Sequence, residues 1–139
     1  MVNTSGQDDD QQTLLDEPVN LRNLAQLRTH VLRLAAQAGL PTERAEAFVL
    51  AVNEAVTNAI EHAGGRGELA VIQDDQRRLI ADVRDAGPGT GCSITLTLPP
   101  PQAPRGRGMW LAAELADRVE VRGGRGGTTV RLEMDLQRP

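Results

Sequence analysis

Glu54, Asn58 and His62 stand four residues apart in the run Ala51-Val52-Asn53-Glu54-Ala55-Val56-Thr57-Asn58-Ala59-Ile60-Glu61-His62. On a helix that spacing stacks a carboxylate, a carboxamide and an imidazole in one stripe, beside the small Ala47, Ala51 and Ala55. A solvated helix face is the plain alternative, since most charged side chains are simply exposed. It is weakened because no Lys or Arg occurs between Ala45 and Gly65, which leaves Glu54 without a Lys or Arg at helical pairing distance. Two kinds of chemistry would use such a pair: a divalent metal carrying phosphates, bound through protein oxygen atoms, or a carboxylate placed to take a proton.

The elements that must position these residues follow from periodicity. Phe48, Val49, Val52, Val56, Ala59 and Ile60 recur at helical spacing, so the stripe lies on a long helix from about Thr42 to Ala63, stopped by Gly64-Gly65. An earlier amphipathic helix is expected from a cap at Asn20, through Leu21, Leu24, Leu27, Val31, Leu34 and Ala35, to Gly39. Thr13-Leu14-Leu15 suits a short edge strand, and residues 1–12, rich in Asp, Gln and Ser, read as a disordered tail.

Two apolar runs, Glu68 to Gln73 and Leu79 to Asp85, flank Asp74-Asp75-Gln76 and read as a hairpin. In the second run Leu79, Ala81, Val83 and Asp85 share one face, which puts a carboxylate on the apolar side at the strand's end. Such a group needs a donor, or its burial costs a few kcal/mol. Residues 86–105 are rich in Gly and Pro and longer than a usual connection of roughly 4 to 6 residues, which favours a binding loop or lid. Within them Ile94-Thr95-Leu96-Thr97-Leu98 alternates like a strand. Gly106-Arg107-Gly108 then opens a helix through Met109, Trp110, Leu111 and Leu115, a place where backbone N–H groups approach an anion.

The chain ends as strand, glycine turn and strand. Thr128, Val130, Leu132, Met134 and Leu136 share the buried side, and Thr129, Arg131, Glu133 and Asp135 share a polar one. One-sided patterning in a sheet means helices cover one face, giving a two-layer α/β (α+β) sandwich over residues 13–136. Asp85 and Thr128 then both face the helix layer.

Composition removes several classes of function. With 139 residues the chain is one domain able to bury a core. Its 15 basic and 19 acidic residues sum to −4, which argues against direct nucleic-acid binding through phosphate neutralisation. All the basic residues are Arg, so a P-loop and every lysine-based covalent mechanism are excluded. Cys92 is alone and cannot form a disulfide framework or a thiolate metal cluster. No apolar run approaches a membrane span and no signal sequence is visible, so a cytoplasmic location is expected.

The ordered set Glu54-x3-Asn58 on a helix, Asp85-x-Gly87-x-Gly89 after a strand, Gly106-x-Gly108 opening a helix and Gly127-Thr128 opening the last strand resembles the GHKL superfamily of ATP-binding domains. Glu-Ala-Val-Thr-Asn-Ala-Ile at 54 to 60 and the small size are similar to the anti-sigma-factor serine/threonine kinases of Gram-positive bacteria. The resemblance covers about Val19 to Leu136. It implies a Bergerat-type fold with a mixed, mostly antiparallel sheet, and binding of ATP and Mg2+. Position by position, Asn58 resembles the magnesium ligand, Glu54 the carboxylate that activates the attacking hydroxyl or water, and Asp85 the acceptor of the adenine amino hydrogen. Thr128 matches the threonine beside the adenine, Gly87 and Gly89 the lid hinge, and Gly106 and Gly108 the phosphate-facing turn. Arg105 and Arg107 are placed to meet phosphates, while His62 suits the helix end. Asn23 to Leu34 resembles a partner-binding helix, with Arg28 as the contact.

The function so implied is an anti-sigma factor that phosphorylates a small anti-anti-sigma protein of the STAS type, as a homodimer. Two others stay open. The alternating and Pro-rich insert in the lid suits a nucleotide-sensing anti-sigma module with little turnover, and an ATP-hydrolysing conformational switch is the third. A complete histidine kinase is excluded by length, and residue 61 is Glu where histidine kinases usually carry Lys.

Overall fold

The computed structural model describes residues 11–62, 66–85, 107–124 and 127–136. In chain order these form β1 (Gln11–Asn20), α1 (Leu24–Ala38), α2 (Thr42–His62), β2 (Arg66–Asp74), β3 (Arg78–Asp85), α3 (Arg107–Leu115), β4 (Arg118–Gly124) and β5 (Gly127–Asp135). The strands make one open sheet in the order β1-β2-β3-β5-β4. All four described pairings are antiparallel, in keeping with the mostly antiparallel sheet expected. The helices pack on one face, so the two-layer arrangement holds.

Alternation in the strands builds the inner layer. Leu69 and Val71 of β2, Leu79, Ala81 and Val83 of β3, and Val130, Leu132 and Met134 of β5 are buried beneath the helices. The helix layer answers with Leu27, Val31 and Ala35 of α1, Ala112 of α3, and Ala45, Phe48, Ala51, Val52, Ala55, Val56, Ala59 and Ile60 of α2. Each large apolar side chain so buried stabilises the fold by about 1.5–3 kcal/mol. Small residues on α2 let it lie close to the sheet while its polar stripe stays at the margin.

The outer face is a lattice of ion pairs. Arg131 holds Asp82 through two hydrogen bonds of 2.8 and 2.9 Å. Arg118 reaches Asp135 at 2.6 Å and Glu133 at 2.7 Å, and Arg78 reaches Asp74. These hydrogen bonds hold both guanidinium groups above the usual arginine range, Arg118 chiefly through Asp135 and Arg131 chiefly through Asp82. One apolar pair interrupts the lattice, Ile80 buried opposite Ile72.

The start of the chain differs from the sequence expectation. The strand expected at Thr13 to Leu15 extends from Gln11 to Asn20, so Gln11 and Gln12 are strand rather than tail. Pro18 lies inside it, which an edge strand tolerates because a missing N–H there interrupts no ladder on the open side. Asn20 does not cap α1. Its side-chain oxygen accepts from the N–H groups of Arg22 and Asn23, and Asn23 answers by accepting from the N–H of Asn20. Two asparagines thus turn the strand into the helix, which starts at Leu24, and Leu21 is left 72% exposed instead of joining the apolar stripe. At the far end Gly39, in the left-handed region at φ 112°, closes α1 as expected.

Candidate functional site

Register places the first wall. Asp85, the last residue of β3, stands opposite Thr128 of β5, and the N–H of Thr128 donates to Asp85 Oδ1 at 3.2 Å. Both side chains are on the helix-facing side and half-buried. Thr129 pairs with Arg84 and Arg122 on the outer face, so it does not share this wall. The carboxylate expected to need a donor has one in the backbone of its neighbour strand.

The second wall is the last three turns of α2. Glu54 and Asn58 are half-buried between the buried residues Ala51, Ala55 and Ala59. Neither side chain makes a hydrogen bond or ion pair among the described residues, so a carboxylate and a carboxamide remain available to a ligand. His62 closes the helix, but its side chain lies outside the described residues.

Between the walls lies an approach that the sequence reading missed. Gly67 of β2 sits so close to β3 that a Cβ built on it would be 2.7 Å from the backbone oxygen of Arg84. The strand had been expected to begin at Glu68, which left Gly67 to the turn. Two residues after Gly64-Gly65, it reads from sequence as part of the same glycine turn, which hides the close backbone approach.

α3 starts at Arg107, so Gly108 lies within the helix and not before it. Gly87, Gly89, Arg105 and Gly106, the whole lid of residues 86–105 and the Ile94 to Leu98 segment fall outside the described residues, as does the side chain of Arg107. The far end of α3 is anchored. Arg44 of α2 donates to Asp117 Oδ2 at 2.7 Å and to the carbonyl of Asp135 at 2.9 Å, and the same Asp117 oxygen accepts from the N–H of Asp135.

Arg28 is exposed on α1 and borders an open groove of about 300 Å3, lined also by Leu32, Glu46, Val49, Leu50 and Asn53. This groove lies roughly a third of a turn around α2 from Glu54 and Asn58. Arg28 therefore belongs to a separate surface.

A metal at this site would draw few ligands from the chain. Among the described residues no group of three or more His, Cys, Asp or Glu side chains converges. A single amide oxygen fits magnesium, which keeps water and takes phosphate oxygens, better than a cation that needs a protein cage. No helix of the described residues is long and apolar enough to cross a membrane.

Comparison with known proteins gives the family and the fold. The histidine kinase-like ATPase domain family matches residues 18–134. A search of curated proteins gives no match. Among solved structures, the RsbU and RsbW domains of Rv1364c from Mycobacterium tuberculosis share 21% identity at a TM-score of 0.64, over 90% of this chain and 33% of that one. The histidine kinase domain of the blue-light activated histidine kinase from Erythrobacter litoralis EL346 shares 20% identity at a TM-score of 0.55, over 83% of this chain and 60% of that one. At such identities the likeness is one of fold, and this chain spans a third of the first structure and three fifths of the second.

Proposed function

Because the chain belongs to the histidine kinase-like ATPase domain family, we propose that it is an anti-sigma factor that uses Mg-ATP to phosphorylate a serine or threonine of a STAS-type anti-anti-sigma protein. The observation that carries this reading is the pair Glu54 and Asn58, half-buried on α2 without partners among the described residues and on the layer that Asp85 and Thr128 face. The fold shared with a structure that holds RsbU and RsbW domains supports this reading. A cytoplasmic homodimer is the form we propose.

The chemistry follows from roles the chain can fill. Asp85, steadied by the Thr128 N–H, accepts a hydrogen bond from the adenine amino group. Asn58 would offer its amide oxygen to Mg2+, which would neutralise phosphate charge. Glu54 takes the proton from the acceptor hydroxyl as that oxygen bonds to the γ-phosphorus and ADP leaves, a step that depends on positioning more than on covalent help from the protein. Arg105, Arg107 and the backbone at Gly106 and Gly108 are the proposed phosphate contacts, and Gly87 and Gly89 the lid hinge. Arg28 is the proposed partner contact.

Incubation with labelled ATP and candidate STAS proteins tests the proposal. Label is expected to move to the acceptor with wild-type protein and to fall at least 100-fold with Glu54→Ala. Transfer that survives this change refutes the role of Glu54. Binding of ATP that is sensitive to Asp85→Asn, without transfer to any acceptor, identifies instead a nucleotide-sensing regulator.

A further inference from the structure

The geometry points to Gly67 as a positioning residue that sets the separation between the two walls of the nucleotide site; the inference rests on the function proposed above. Gly67 pairs with Val19 of β1. A Cβ at position 67 would lie 2.7 Å from the Arg84 carbonyl oxygen, 3.5 Å from the Ala59 Cβ and 3.5 Å from Val19 Cγ2. Gly67 is not among the glycines with positive φ. Its requirement is therefore room and not an unusual backbone shape.

The neighbours give that room a function. Arg84 immediately precedes Asp85, and Ala59 immediately follows Asn58. One hydrogen atom in place of a methyl group thus lets the end of β3 and the last turns of α2 close on the same point of β2. The 2.7 Å contact would be with backbone, which cannot rotate aside as a side chain does. From Glu68↔Arg84 to Gln73↔Leu79 the β2–β3 ladder is continuous, so the displacement is confined to the end of the sheet that carries Asp85. A side chain at 67 must either push the end of β3 outward or press on Ala59 and lift α2. Each movement changes the distance from Asn58 to Asp85. A ligand that spans both walls feels that change, and a ligand held by Asp85 alone does not.

The test uses the full chain with Gly67→Ala and, from the other side of the contact, Ala59→Ser. Calorimetric titration is expected to show Mg-ATP affinity reduced at least tenfold in each variant, with adenosine affinity reduced less than threefold. Without nucleotide, the Asn58 side-chain amide and Thr128 backbone amide signals in 1H–15N spectra are expected to move. Unchanged Mg-ATP affinity in folded Gly67→Ala overturns the inference, as does an equal loss for both ligands, which a merely structural role would give. If Gly67→Ala does not fold, Ala59→Ser decides by the same split. Should wild-type protein bind no Mg-ATP, the proposed function fails, while the nucleotide-free spectra still show whether Gly67 sets the spacing; unmoved Asn58 and Thr128 signals then overturn it.

Discussion

A carboxylate at the end of β3 is held by the backbone of β5, and that makes Asp85 an informative residue to change. Asn at 85 keeps an oxygen for the Thr128 N–H at 3.2 Å but loses the charge and one acceptor. The fold should therefore survive while nucleotide affinity falls by about 10- to 100-fold, the loss of one charge-assisted hydrogen bond worth roughly 1.5–3 kcal/mol. Isothermal titration with ATP checks this, and an unchanged affinity removes Asp85 from the site. Phe48, fully buried at the middle of the helix layer, supplies the contrast. Phe48→Ala should cost about 3–5 kcal/mol in urea unfolding through the cavity it leaves. The placement of Asp85 and Glu54 was legible because a carboxylate on an apolar face, or without a cation in reach, contradicts the pattern around it. Gly67 was not legible, because its reason is a carbonyl on another strand.

Among the elements, α3 carries the proposed phosphate-facing end and is tied at its other end by the Arg44 to Asp117 bridge, whose side chains are only 25% and 13% exposed. Removal of the carboxylate leaves both Arg44 and the Asp135 N–H without their best partner. Asp117→Ala should lower stability by about 2–4 kcal/mol, read from the midpoint of denaturant unfolding at constant slope. A loss under 0.5 kcal/mol would mean that solvent replaces the bridge. Trp110 in the same helix is the chain's single tryptophan, and there is no tyrosine, so emission excited at 295 nm reports on α3 alone. Long periodic elements such as α2 were readable from apolar spacing. β1 was underestimated because Asp16, Glu17 and Pro18 look like strand breakers, and they are acceptable only because the strand lies at an edge, which is a tertiary fact. The start of α1 was misplaced for a similar reason: Asn20 makes capping-like bonds, but to a turn that it shares with Asn23.

For the molecule as a whole, charge is arranged through arginine alone. The raised Arg118 and Arg131 bind their protons more tightly folded than unfolded. Their contribution is complete below the ordinary arginine range and is lost only as pH rises beyond it. With no lysine or tyrosine in the chain, a Cys92→Ser version should show unfolding free energy flat to within about 0.5 kcal/mol between pH 8.5 and 10.5. A steeper fall, measured by urea titration at each pH, would contradict this. Nucleotide should act on the same global equilibrium: a 100-fold excess over Kd adds about 2.7 kcal/mol and raises Tm on the order of 10 °C, detectable by scanning calorimetry.

β1 also has a consequence in time. β2 with β3, and β4 with β5, are antiparallel partners close in sequence, whereas β1 meets β2 only after both α1 and α2 have intervened. On the ribosome β1 is therefore made early and waits for its partner while two helices are synthesised. Pro18, the acidic pair beside it and the register shift between Thr13 and Leu15 guard a strand that spends that interval unpaired, when neighbouring nascent chains offer it the wrong edge.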